Sequence, residues 1–174
     1  GKVIPEFKTF HSFSYGLVCQ DIEIREALGY DKIPDIASEL QEKEITEKAK
    51  LQCKVTLTND KLVHRNNLTR KEQRQVELYD KAVNRLLRQQ NLISFDMLNT
   101  EVSKLFVSDH ASTRKYKFQY QYVFVDEFQD TNIAQLRLCE LISAKRRNIM
   151  VVGDDDQSIY KFRGATIENI LSFD

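Results

Sequence analysis

Residues 122–164, YVFVDEFQDTNIAQLRLCELISAKRRNIMVVGDDDQSIYKFRG, hold two short apolar runs on either side of one amphipathic stretch. The runs, residues 122–125 and 149–152, are continuous rather than alternating, which predicts strands of a parallel sheet covered on both faces. Parallel neighbours need a crossover, and the sequence between the runs allows a helical one. Asn132 is a candidate N-cap with Gln135 three residues on, and Ile133, Leu136, Leu138, Leu141 and Ile142 supply apolar positions. The expected unit is a right-handed βαβ crossover.

Both runs end in acid, Asp126-Glu127 after the first and Asp154 after the second. Ligands of open parallel sheets bind beyond the carboxyl ends of the strands. Neighbouring strands lie about 5 Å apart, so these acids are expected to share one site. A magnesium ion takes one or two carboxylates with waters and phosphate oxygens, which suits Asp126. Glu127 is placed to orient and deprotonate an attacking water, and the Gln157 amide to reach a terminal phosphate. Solvated turn residues are the plain alternative for an isolated Asp-Glu pair.

The rest of the 174 residues falls into three segments. Residues 1–23 read as a strand end near Val3 and Ile4 followed by a helix through Leu17 and Val18. Residues 24–91 turn polar and helix-forming, with Glu39 and Lys43, and Glu44 and Lys48, spaced i to i+4. This reads as an all-helical insertion. Within it Thr69 and Glu72 have capping-box spacing, and Val76, Tyr79, Val83 and Leu86 form an apolar stripe. The linking stretch before that helix is irregular, with Asn59-Asp60 and Asn66-Asn67 as turn signals. Residues 92–174 open on a helix marked by Phe95, Leu98, Val102, Leu105 and Phe106, then a loop over 108–114, then the strands.

Lys plus Arg and Asp plus Glu balance at 26 each, so a polyanionic partner has to be met by local patches. Cys19, Cys53 and Cys139 form no CxxC pair, which favours buried reduced thiols of a cytoplasmic protein over a disulfide or zinc framework. No apolar stretch is long enough to span a bilayer, so no membrane partner is expected.

DEFQDT at 126–131 followed by GDDDQSIYKFRGA at 153–165 resembles the second and third motifs of superfamily 1 helicases of the UvrD/Rep type. TFHSF at 9–13 is similar to the motif Ib of that family, and Phe95-Asp96-Met97-Leu98 to an element that precedes its Walker B strand. The resemblance implies a partial RecA-like parallel sheet, α/β in class, interrupted at 24–91 by a helical 1B-like subdomain. It implies ATP and Mg²⁺ as cofactors, single-stranded DNA and a duplex junction as partners, and further helicase domains in cis. Asp126 then corresponds to the magnesium acid, Glu127 to the general base, and Gln157, with Asp154 beside it, to the γ-phosphate contact. Thr9 and His11 correspond to DNA-backbone contacts. Phe162 stands where many relatives have a base-stacking Trp, with Tyr160 and Arg163 in the same strand-facing element.

Structural alternatives stand beside several of these. Phe162 suits core packing, Arg163 an ion pair with Asp154, Asp155 or Asp156, and His11 a satisfied structural role. Arg65, Arg70, Lys71 and Arg74 suit either a duplex-facing surface or a solvated helix face. Lys145, Arg146 and Arg147 suit a helix C-terminus.

The sequence departs from the family in one respect that bears on chemistry. A phosphate-cradling loop needs G-x-x-x-x-G-K-[ST], and Gly1, Gly16, Gly29, Gly153 and Gly164 form none. The adenine-reading glutamine, motif Ia and the second motor domain are also unmatched. The expectation is therefore a piece of a 3′ to 5′ DNA helicase that hydrolyses little ATP by itself. Rival readings are the helicase part of a RecB- or AddA-type helicase–nuclease, a non-catalytic DNA-binding relative, and a small independent phosphate-binding or scaffold domain.

Overall fold

In chain order the elements are α1 (Phe10–Gln20), α2 (Ile22–Ala27), β1 (Asp35–Ile36), α3 (Glu39–Cys53), α4 (Asn59–His64), α5 (Arg70–Gln89), β2 (Leu92–Ile93), α6 (Phe95–Val107), α7 (Arg114–Lys117), β3 (Val123–Val125), α8 (Ile133–Ser143) and β4 (Ile149–Val151). This computed structural model describes residues 5–65, 67–117, 119–143 and 148–154, without the side chains of His64 and Ile133. Val3, Ile4, Lys145, Arg146 and Arg147 therefore lie outside the described residues. So do Gln157, Tyr160, Phe162 and Arg163. The chain divides into two compact units, Gly1–Leu28 with Asp96–Asp174, and Gly29–Phe95.

In the first unit, Thr9 is the N-cap of α1. Its hydroxyl accepts the Ser12 N–H at 3.1 Å, so TFHSF forms the cap and first turn of a helix. Leu17 and Val18 are buried on the inner face of α1. α6 turns Leu98, Val102 and Phe106 fully inward, as its spacing predicts, while Phe95 is exposed. The two helices share a buried polar contact, in which the Ser14 hydroxyl donates to Asn99 Oδ1 at 2.7 Å. The stretch expected as loop after α6 contains a 3₁₀ turn, Ala111–Thr113, which runs directly into α7.

β3 and β4 are adjacent and parallel, with Val123 opposite Ile149, Phe124 opposite Met150 and Val125 opposite Val151. α8 crosses between them. The expected cap is present in both directions: Gln135 N–H donates to Asn132 Oδ1 and Asn132 N–H to Gln135 Oε1, each at 2.9 Å. Val125, Phe128 and Cys139 form a core cluster, with Phe10, Val123, Leu136, Ile149 and Val151 packed against it.

The expectation that both sheet faces are covered is corrected here. Phe124 is 72% and Met150 55% exposed, because α8 packs on one face of β3 and β4, the two strands of this sheet among the described residues, and these side chains alternate to the other.

The second unit is built on α3 and α5. Ser38 with Gln41 and Thr69 with Glu72 form capping boxes at their N-termini. Val76, Tyr79, Val83 and Leu86 are buried, so the apolar stripe of α5 is its inner face.

The segment is not all-helical, as its composition suggested. β1 and β2 pair in parallel, Asp35 with Leu92 and Ile36 with Ile93, and two residues each are too few to leave a periodic signal. Residues 59–64 also form a helix where Asn59-Asp60 signalled a turn. Thr58 accepts the Lys61 N–H and puts Asn59 and Asp60 in the first turn, which tolerates both. Ile24 lies in α2 and is buried.

Candidate functional site

The sheet register brings the predicted acids to one rim. Val125 pairs with Val151, so Asp126-Glu127 and Gly153-Asp154 leave the same end of neighbouring parallel strands. The ladder continues past both ends: Val152 N–H donates to Val125 O at 2.8 Å, and Phe128 N–H to Val152 O at 2.9 Å. The two acidic strand ends are thus stitched together by backbone before any side chain contributes.

Between those bonds the chain turns sharply at Glu127, with φ 51° and ψ 44°. A non-glycine residue there stores strain, and such strain clusters at functional sites. A 3₁₀ turn, Phe128–Asp130, follows and drops Phe128 into the core. Asp126 and Glu127 remain exposed. Asp126 Oδ1 accepts the Glu127 N–H at 3.0 Å, which braces the turn.

Sequence reasoning missed Gln129. It is 2% exposed; its Nε2 donates to Glu127 Oε2, and its Oε1 accepts the Asp154 N–H at 3.0 Å. A buried amide has to be satisfied, and its second partner, the Asp154 N–H, lies 25 residues away in sequence, so no local signal marks it.

Thr9 is exposed and His11 half-buried on the first turn of α1. The same helix start sends Phe10 into the cluster beneath the acidic turns. In the second unit Arg65 is engaged by Asp80 through two hydrogen bonds of 2.9 Å, whereas Arg70, Lys71 and Arg74 lie exposed at the start of α5.

The donor set suits a hard cation. Mg²⁺ asks for one or two carboxylates and fills its remaining positions with water and phosphate oxygens. Asp126, Glu127 and Asp154 put exposed carboxylates at two adjacent strand ends, and no cluster of three or more His, Cys, Asp or Glu side chains occurs among the described residues. No helix among the described residues is long and apolar enough to cross a membrane.

The chain is mixed α/β, with small parallel strands that end in acid. Its sequence is more specific. Residues 8–174 match the UvrD/REP helicase N-terminal domain, and the chain belongs to that family. Among individual proteins it is similar to the ATP-dependent DNA helicase PcrA of Staphylococcus epidermidis, 45% identical over 94 residues. That match covers 54% of this chain and 13% of the relative. PcrA of Staphylococcus aureus is 46% identical over 90 residues, which cover 52% of this chain and 12% of the relative. The match therefore spans only about an eighth of the length of these relatives.

Proposed function

We propose that this chain supplies the acidic wall of the ATP site in a DNA helicase that moves 3′ to 5′ on single-stranded DNA and separates duplex strands. The observation that carries this reading is the pairing of Val125 with Val151, which sets Asp126, Glu127 and Asp154 on one rim. Residues 1–23 and 92–174 belong to a RecA-like motor domain, and 24–91 to its 1B-like insertion.

Asp126 would hold the magnesium ion, which would supply positive charge to offset that of the phosphates. Glu127 orients the attacking water and accepts its proton, which is the main chemical task left to the protein when phosphoryl transfer depends on positioning. Gln157, three residues after Asp154 in sequence, contacts the terminal phosphate. Thr9 and His11 meet the DNA backbone, and Tyr160, Phe162 and Arg163 meet the strand.

The test uses steady-state ATP hydrolysis with single-stranded DNA, in the full-length polypeptide that carries these residues. Glu127→Gln retains nucleotide binding and loses turnover; unchanged turnover removes Glu127 from the base role. The 174-residue chain alone hydrolyses little ATP, and robust turnover by it overturns the view that the phosphate-cradling loop must come from elsewhere.

A further inference from the structure

One buried side chain bridges the two acidic turns. The Gln129 amide spans from the Glu127 carboxylate to the backbone of Asp154, with a bond at each end. Its orientation follows from its partners. The carboxylate accepts only, and the Asp154 N–H donates only, so the reversed amide would face two like groups.

The fit is close. A Cβ on Gly153 would stand 2.7 Å from Gln129 Oε1, 3.2 Å from the Gln129 N and 3.3 Å from the Phe128 N. Glycine at 153 is therefore the condition for the amide to lie against β4. Glu127 is exposed and its side chain has three rotatable bonds, so its carboxylate would sample many positions without a fixed donor. Gln129 donates to one of the two carboxylate oxygens, Oε2.

The geometry points to Gln129 as a positioning residue that fixes the general base by reference to the end of the neighbouring strand, with Gly153 as the space it needs. This rests on the reading of Glu127 as the base. Gln129 acts through Glu127.

Steady-state ATP hydrolysis by the full-length polypeptide with saturating single-stranded DNA tests the role. Gln129→Met keeps the volume and loses both bonds. Gln129→Glu keeps an acceptor for the Asp154 N–H and loses the donor to Glu127. Both variants lower kcat by about 10- to 100-fold, the scale of a misplaced reacting group. KM for ATP stays within about twofold, because no contact to ATP is removed.

Gly153→Ala, which displaces the amide from the other side, lowers kcat in the same way. The Gln129→Met, Gly153→Ala double variant is no worse than the poorer single, as two routes to one broken contact require. Thermal unfolding separates folding from function: Gln129→Met, which sets no second carboxylate against Glu127, melts near the parent and still loses turnover. Losses that multiply in the double variant overturn the inference, as does parental kcat in Gln129→Glu. Glu127→Gln separates the two ideas. If it turns over normally, the base reading falls and this one with it; if it is inactive while both Gln129 variants keep parental kcat, only the positioning role falls.

Discussion

The Tyr116 hydroxyl donates a 2.7 Å hydrogen bond to Asp21 Oδ2, joining α7 to the junction of α1 and α2 across 95 residues of chain. Three further donors converge on the same carboxylate. The N–H groups of Glu23 and Ile24 reach Oδ1 at 3.0 and 3.3 Å as the N-cap of α2, and Lys115 Nζ lies 2.7 Å from Oδ2. Asp21 is 5% exposed. Burial alone would push its carboxyl up, but the bonds from Lys115, Tyr116 and the Ile24 N–H outweigh it and hold the group below the ordinary carboxylate range. Burial and the Asp21 bond push the Tyr116 phenol the other way.

Asp21→Asn is therefore expected to destabilise the first unit by roughly 1.5–3 kcal/mol, the scale of a hydrogen bond to a charged group. Urea unfolding followed by circular dichroism measures it. The pH dependence has a definite sign. Because the folded carboxyl titrates lower than the unfolded one, the unfolded chain binds more protons between the two values. The contribution is complete above the unfolded pKa of about 4 and is lost as pH falls through the folded value. The Asn variant lacks that loss, and its stability profile is flatter below about pH 4.

Thr69→Ala removes the N-cap acceptor of α5 and is expected to cost about 1 kcal/mol. Glu72 is tied into the same cap. The Lys61 ammonium first, and the Thr69 N–H and hydroxyl after it, hold its carboxyl at about 2, so its help is present at neutral pH and lost as pH falls toward that value. Leu87→Ala, inside the same helix at 2% exposure, should cost more, about 2–5 kcal/mol. Hydrogen exchange along α5 ranks the two.

Elements with local signals were legible in the sequence. The Thr69–Glu72 and Asn132–Gln135 pairs each declare a helix start within four residues, and both form as reciprocal caps. The apolar runs of β3 and β4 declared strands, and their adjacency put Asp126 and Asp154 on one rim. What failed to show depends on contacts distant in sequence. β1 and β2 pair across more than fifty residues with two residues each. Gln129 is polar in a polar motif, and only the approach of Gly153 and Asp154 shows that it is buried and shared. Exposure of Phe124 was equally invisible, since an apolar run looks the same whether one face or both are covered.

The cysteines were expected to be buried, and one of three is. Cys139 is on the inner face of α8, packed with Val125 and Phe128, and burial pushes its thiol up to about 12, whereas Cys19 and Cys53 are half-buried. A thiol reagent at neutral pH should label Cys19 and Cys53 in the folded chain and reach Cys139 only after unfolding, because the thiolate is the reactive form. Mass spectrometry of the labelled peptides reads the order.

The base-stacking reading of Phe162 predicts that Phe162→Ala weakens single-strand binding by about 1–3 kcal/mol without lowering the melting temperature. A fluorescence titration with a short oligonucleotide decides it. Equal affinity together with lost stability assigns the ring to packing instead.

Asp126 and Glu127 are consecutive, yet their proposed tasks separate in a magnesium titration of the full-length polypeptide. Asp126→Asn replaces a charged oxygen ligand with a neutral one, so half-maximal ATP hydrolysis should move to higher magnesium, with part of the turnover recovered when the ion is in excess. Glu127→Gln removes the proton acceptor but no proposed metal ligand. Its turnover should fall by about 10²- to 10⁴-fold at every magnesium concentration, with the midpoint unmoved. Both residues sit on one sharp turn whose backbone is held by the Val152–Val125 and Phe128–Val152 bonds, so neither exchange should disturb the fold. A midpoint shift in the Glu127 variant, or rescue of it by magnesium, would reverse the two assignments.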